Sequence, residues 1–566
     1  MIRFLIALFF TTLSAFISHA QKRVLPGANP DPSVVKIGDT YWASATSSNW
    51  FPAFPLFYSK DLLNWKQKGY IFNKRPAWAD YYFWAPEITY DSGKVYVYYT
   101  AHKKNGNLCV GVATADRPEG PYKDLGPLVC QQAGSIDAFP ARDTSGKLFL
   151  IWKEDANSLN RPTPIWAQEM NETRTALLGD RIELFRNDAP WEKSLVEGVS
   201  LLRRGDYYYA FYAAAGCCGS RCDYVTGVAR AKNITGPWEK YNRNPILVDT
   251  GNWICKGHGT PIERNGRFFF FYHGYDRVTS AFTGREALLQ EFRFTPDDWI
   301  EFINPAHGGV QRNEVMVDDF EETKLNESFQ WSVFDNPKYV LNDGTLQLFA
   351  SPSTSGSFIG QRIASADYTA TATMIPGRSN ALAGLAAIGD DKNVLAVLLK
   401  ENQIQILKVQ DGNDTLRGIT RIPPREKVYL QMRVTAPYYV SFYYSLNGTN
   451  FIALTDSAIR GIFLPPWDSP PRAGLISKGS PQEKAVFDQF EIRAGISNSA
   501  DITTENRLQN AFELFLYVFA ATCLASGVFF FFRKWDRYKA KKSGDDIRIE
   551  EEQAPEVDGN RQKAEG

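Results

Sequence analysis

Three acids stand out for where they sit: Asp31 in Asn29-Pro30-Asp31-Pro32-Ser33, Asp137 in Ser135-Ile136-Asp137-Ala138-Phe139-Pro140, and Glu197 in Val196-Glu197-Gly198. Each stands at the start of a strand-like run, so its carboxylate belongs to a strand end and not to a solvated helix face. Asp31 lies between two prolines, which predicts a stiff, extended backbone and an aimed side chain. Two carboxyls flanking a glycosidic bond, one protonated as general acid and one ionised as base, are the minimum equipment for hydrolysis with inversion, and a third can tune the acid. A purely structural arrangement would more cheaply use small or apolar side chains, because unpartnered like charges are costly to bury.

Those acids need a scaffold that brings distant strand ends together, and the sequence carries one. A strand run, a Gly turn and a second, aromatic-rich strand recur around Gly38, Gly93, Gly146, Gly205 and Gly266, which by subtraction are 55, 53, 59 and 61 residues apart. Further extended segments follow most of these turns, and two lead into Gly-Pro-aromatic at Gly120-Pro121-Tyr122 and Gly236-Pro237-Trp238. Five such units predict a β-propeller of four-stranded antiparallel blades over residues 21–313. Its inner strands line a central channel, and the polar residues at their starts read Asp31, Glu87, Asp137, Glu197 and His258.

Composition shifts after this region. Short alternating strands and turn signals such as Asn342-Asp343-Gly344 and Leu446-Asn447-Gly448 predict a β-sandwich over 314–494. Residues 1–20 read as a secretory leader, with Arg3, an apolar run from Phe4 to Phe16 and Ser18-His19-Ala20 before Gln21. Residues 495–510 read as a polar linker and 511–532 as a transmembrane helix. Its nineteen-residue core from Leu514 to Phe532 lacks charge and is followed by Arg533, Lys534, Arg537, Lys539, Lys541 and Lys542. Residues 533–566 read as a charged cytoplasmic tail. The expectation is an all-β, single-pass membrane protein whose propeller and sandwich lie outside the cytoplasm, in the periplasm or at the cell surface.

The motifs taken together carry a resemblance. Asn29 to Ser33, Trp84-Ala85-Pro86-Glu87, Ser135 to Pro140, Val196-Glu197-Gly198, Gly257-His258-Gly259-Thr260 and Gly284-Arg285-Glu286 resemble, in order, the successive signatures of glycoside hydrolase family 43. The resemblance implies Asp31 as general base, Glu197 as general acid, and Asp137 as the group that raises the pKa of Glu197 and orients it. It implies inversion, which needs carboxyls about 6.5–9.5 Å apart to admit a water. It places His258 and Arg285 in the innermost sugar subsite and allows a hydrated calcium in the channel near the histidine, with no cofactor required. Glu87 stands where an Asp is more usual and receives no catalytic role. Trp84, Trp50 and Phe51 are candidates for stacking on the sugar. The second region resembles the concanavalin A-like sandwich behind some catalytic propellers of this family.

Charge and cysteine usage set limits on partners. Lys+Arg and Asp+Glu are 63 each, so no overall field attracts nucleic acid, and a neutral arabinose- or xylose-containing carbohydrate is the expected partner. Cys109, Cys130, Cys217, Cys218, Cys222 and Cys255 all precede the apolar run, which suits disulfides. Cys109 can pair with Cys130, and Cys255 with one of the Cys217, Cys218 and Cys222 group, the choice being open. The reading is an inverting glycosidase removing α-L-arabinofuranosyl or β-D-xylosyl units. Its alternatives are a non-catalytic, membrane-tethered carbohydrate-binding propeller and a retaining propeller with carboxyls about 5 Å apart.

Overall fold

The computed structural model describes residues 21–303 and 314–495. The expected leader, most of the polar linker, the apolar run and the charged tail lie outside the described residues. Among those described, no helix is long and apolar enough to cross a membrane.

Residues 21–303 form five antiparallel sheets arranged as blades. Blade 1 runs Ser33–Ile37, Thr40–Ser44, Ala53–Ser59 and Lys66–Phe72, and blades 2, 3 and 4 begin with inner strands Trp84–Asp91, Ser135–Arg142 and Val196–Arg204. Local turn chemistry makes the hairpins. Ser92-Gly93 and Asn265-Gly266 have φ of 52° and 81°, and of 54° and 74°, the paired left-handed geometry that matches the twist of adjoining strands. The second strands are apolar because they are covered on both faces: Tyr98, Tyr99, Trp152, Tyr209, Phe211 and Tyr272 are fully buried between blades.

Blade 5 is completed from the other end of the propeller. Its strands Trp253–Arg264, Arg267–Asp276 and Arg285–Phe294 are joined by Lys22–Leu25, which pairs antiparallel with the last of them. The ring is thus closed by hydrogen bonds between Lys22–Leu25 and Arg285–Phe294, a pairing that the repeat pattern had not foretold.

The inner strands share one irregularity. Register shifts fall between Trp84 and Glu87, Ile136 and Phe139, Glu197 and Ser200, and Gly257 and Gly259. Inside these shifts Ala85, Asp137, Gly198 and His258 have φ of 43°, 56°, 60° and 43°. Asp31, just ahead of the inner strand of blade 1, has φ of 50°. Such bulges bend the strand and re-aim a side chain. Two expectations are corrected by this. The backbone at Asp31 is left-handed and not extended, which costs about 1–2 kcal/mol for a residue with a Cβ. Contacts of its amide and carboxylate, described below, hold it there. Nor are the five channel residues equivalent: Asp137 and His258 occupy the bulge position, Asp31 shares their left-handed backbone ahead of its strand, Glu197 precedes the bulge residue, and Glu87 follows Ala85 by two.

Residues 314–495 form a sandwich of a nine-stranded and a six-stranded sheet. Leu385, Leu430, Phe442, Leu475, Phe487 and Phe490 of its core are completely buried. It is sewn to the propeller by backbone pairing, with Trp331 opposite Phe51 and Ser332 opposite Trp50. Arg362 reaches across to Asn29 Oδ1 at 2.5 Å and to Gln67 Oε1 at 2.6 Å. Gly27 lies so close to the sandwich that a Cβ there would stand 2.5 Å from the carbonyl oxygen of Ile363.

Candidate active site

Asp31, Asp137 and Glu197 converge at the mouth of the channel and are 7%, 8% and 7% exposed. They line a pocket of about 320 Å³ together with His258, Arg285 and Trp84, and the sandwich loop 466–470 forms one of its walls. That volume lies at the small end of ligand pockets.

The Asp31 carboxylate is fixed at both oxygens. Arg285 Nη1 donates to Oδ1 at 2.6 Å, and the Thr46 hydroxyl donates to Oδ2 at 2.7 Å. Thr46 Oγ1 itself accepts the Ala85 N–H at 2.7 Å, which leaves its proton for Asp31. The Asp31 N–H donates to His273 Nδ1 at 3.0 Å, and it is this bond that supports the left-handed backbone. Burial pushes the Asp31 carboxyl up, but the Arg285 guanidinium and His258 more than offset it and hold the acid well below the usual range. His273 itself is driven down to about 4 by burial and by Arg285, so it is neutral.

Arg285 is shared. Its Nη2 donates to Asp468 Oδ2 of the sandwich loop at 2.5 Å, and Asp468 also accepts the Tyr275 hydroxyl proton. Glu286, the neighbouring acid, turns away to Arg23 Nη1 at 3.1 Å and the Gly27 N–H at 3.0 Å.

Glu197 has a different setting. Lys153 Nζ donates to Oε2 at 2.5 Å and the Tyr224 hydroxyl to Oε1 at 2.8 Å. Burial raises its pKa, but the Lys153 ammonium and these two hydrogen bonds outweigh burial and bring it below the ordinary value. Asp137 accepts the Gly198 N–H at 3.1 Å. It is pushed up to about 7, chiefly by burial and further by the charges of Glu197 and Asp31, against the pull of His258 and Lys153. His258 Nδ1 lies 3.4 Å from Asp31 Oδ1 and 3.8 Å from Asp137 Oδ2, between the two acids.

The three aromatic candidates separate. Trp84 lines the pocket half-buried, stacked on Tyr82 at 4.5 Å, with its Nε1 donating to Ser48 Oγ at 3.2 Å. Trp50 also reaches the wall, but it packs on Phe358 and carries the Arg472 guanidinium 4.9 Å over its ring. Phe51 is not on the wall: its ring is buried between Phe83 and Trp331, where strand pairing with the sandwich draws it.

Sequence reasoning missed Thr46, Lys153, Tyr224, His273 and Asp468. Lys153 and His273 are polar residues directly after apolar runs in their strands, and Asp468 lies in Pro465-Pro466-Trp467-Asp468-Ser469-Pro470, again an acid between prolines. Those oddities were the available signals. The cysteines pair as Cys109–Cys130, Cys222–Cys255 and the adjacent Cys217–Cys218, the last at the pocket wall.

Asp31, Asp137, Glu87, Ser200 and His258 also line a channel with about 10 Å³ of space, room for a single water. Burial raises Glu87 to about 8, with Thr260 Oγ1 donating at 3.3 Å. Among the described residues no three acids, histidines or cysteines group as metal ligands.

The profile of glycosyl hydrolases family 43 matches residues 20–300, and that of the beta xylosidase C-terminal concanavalin A-like domain matches 317–463, ending just short of the Asp468 loop. A beta-xylosidase of Bacillus subtilis is 27% identical over 515 residues, covering 77% of this chain and 93% of the relative. A non-reducing end alpha-L-arabinofuranosidase of Bacteroides ovatus is 27% identical over 445 residues, covering 69% and 78%. The crystal structure of the GH43 protein BlXynB from Bacillus licheniformis superposes with a TM-score of 0.73 at 23% identity, covering 84% of this chain and 99% of that one, a likeness of fold. Matched over both folded regions, with the motifs in the same order, the chain belongs to glycosyl hydrolases family 43 and is a glycosidase.

Proposed function

We propose that the protein removes single α-L-arabinofuranosyl or β-D-xylosyl units from the ends of glycans, with inversion. The observation that carries this is the contrast between Asp31 and Glu197 in one small pocket. Asp31 is pinned as a carboxylate by Arg285 and Thr46, which suits a base that must take a proton from water. Glu197 is held by Lys153 and Tyr224 and lies close enough to Asp137 for each acid's charge to oppose ionisation of the other, which suits an acid that must give one proton and regain it. Relatives named for xylose and for arabinose support both sugars as candidates.

In this mechanism Asp31 draws a proton from a water that attacks the anomeric carbon, while Glu197 protonates the departing glycosidic oxygen. Arg285 holds Asp31 and faces the sugar, and Asp137 with His258 sets the charge around the reacting centre. No step passes through a metal. Glu197 must be protonated although Lys153 opposes it, so kcat/KM falls as pH rises out of the acidic range, while Asp31 remains ionised well below pH 4.

The test follows the anomer first released from phenyl β-D-xyloside and phenyl α-L-arabinofuranoside. Inverted product is expected, and retained configuration overturns the mechanism. Asp31→Asn is expected to lose about 10³-fold or more on every substrate. Glu197→Gln is expected to lose as much on phenyl glycosides and to keep activity on dinitrophenyl glycosides, whose leaving group needs no proton.

We also propose that the propeller and sandwich lie outside the cytoplasm, tethered through residues 514–532. The charge-free run with its basic flank and three disulfides among the described residues support this. Protease added to intact cells or spheroplasts should remove the propeller and leave a membrane-bound remnant; full protection would refute the topology.

A further inference from the structure

A lysine is rarely buried without a reason, and Lys153, with 1% of its side chain exposed, follows five apolar residues on the strand Leu148–Glu154. Its Nζ lies 2.5 Å from Glu197 Oε2 and 3.0 Å from Asp155 Oδ1. An acid that only needed to donate a proton would be better served without a cation in contact, because a neighbouring positive charge favours the carboxylate. The contact is nevertheless short and enclosed.

We propose that Lys153 is a positioning residue for the general acid, an ammonium bridge that locks the Glu197 rotamer against Asp155 and sets how far the medium must be acidified before Glu197 carries its proton. This rests on the assignment of Glu197 as acid. The charged and titratable groups around Glu197 come from four blades. Lys153 and Asp137 come from the two inner strands of blade 3, with Asp155 beyond Lys153. Tyr224 precedes the third strand of blade 4, His258 comes from the inner strand of blade 5, and Asp31 lies across the pocket on blade 1. Lys153 is the cation in direct contact with the carboxylate. It exchanges no proton itself: burial disfavours its charge, but Glu197 and Asp155 hold it protonated. Glu197 alone gives its proton to the leaving oxygen and takes another from water after the products depart.

Because Asp155 shares the ammonium, the two residues act on Glu197 with opposite signs. Removing the lysine charge makes Glu197 easier to protonate; removing the Asp155 charge leaves Lys153 wholly to Glu197 and makes it harder.

The experiment measures kcat/KM against pH for the full chain and for Lys153→Met, Lys153→Arg and Asp155→Asn, on whichever phenyl glycoside the protein hydrolyses. Lys153→Met should move the basic limb up by about one pH unit or more. Lys153→Arg should leave it near the parent position, and Asp155→Asn should move it down. On the matching dinitrophenyl glycoside the basic limbs should coincide. Thermal unfolding monitors folding, and Asp155→Asn tests the proposal independently should Lys153→Met not fold. Unmoved limbs in folded variants, with Glu197→Gln inactive on the phenyl glycoside, overturn the proposal. Full activity of Glu197→Gln instead overturns the acid assignment beneath it.

Discussion

The surroundings of Asp31 and of Glu197 are built from different distances along the chain. Glu197 is held by Lys153 and Tyr224, 44 and 27 residues away, on blades 3 and 4. Asp31 is held by Arg285, 254 residues away, and Arg285 in turn by Asp468 of the sandwich. Even Asn29, two residues before Asp31, is tied to Arg362 of the sandwich and through its N–H to the Arg285 carbonyl. The hydrogen bonds that hold the acid are therefore local to two neighbouring blades. The base is correct only when the ring has closed and the second domain has docked.

The sharpest break of that contrast is Arg285→Gln. It removes the charge that offsets the burial of Asp31, and a loss of about 10²–10³-fold in kcat/KM is expected, equal on phenyl and dinitrophenyl substrates. The sign follows from the depressed pKa: with the guanidinium gone Asp31 protonates more easily, so the acid limb of the pH profile moves up while the basic limb stays. An unmoved acid limb would mean that Arg285 does not govern the base.

Asp468→Asn is expected to act more gently, lowering kcat/KM roughly tenfold, the scale of one hydrogen bond to a charged group. Arg285 then serves Asp31 undivided, so the acid limb should not rise, unlike in Arg285→Gln. Indistinguishable profiles for the two variants would erase the division of labour between them.

On the acid side, Gly198→Ala places a Cβ 2.7 Å from the His258 ring at a φ of 60°. The backbone conformation alone costs about 1–2 kcal/mol. A lower unfolding temperature with a modest loss of activity is expected, read by thermal denaturation. A rise in stability would show that the bulge of blade 4 is not left-handed.

The propeller was legible because its hairpin turns are local: a Gly with positive φ at Gly38, Gly93, Gly146, Gly205 and Gly266 can be read from short stretches of chain. The three acids were legible for the same reason, each sitting in a short motif. Their partners were not, since His273 and Tyr224 reach the acids, and Asp468 reaches Arg285, only through tertiary packing. The bulges are invisible in the alignment of the inner strands, so in sequence Glu197 and Glu87 look equivalent to Asp31 although they stand before and after the turned residue. Phe51 shows the limit of composition: an aromatic beside a pocket and one in a seam between domains are the same residue type in sequence. What distinguishes Phe51 is its pairing with Trp331, nearly three hundred residues away.

The pairing of Lys22–Leu25 with Arg285–Phe294 has a consequence for how the molecule is made. The strand Lys22–Leu25, made before any blade, waits for blade 5 before it has anywhere to go. Contacts so distant along the chain form slowly. Until then blade 5 has an open edge, Arg285 is not yet seated, and Asp31 lacks its guanidinium. The protein should acquire stable blades well before it acquires activity.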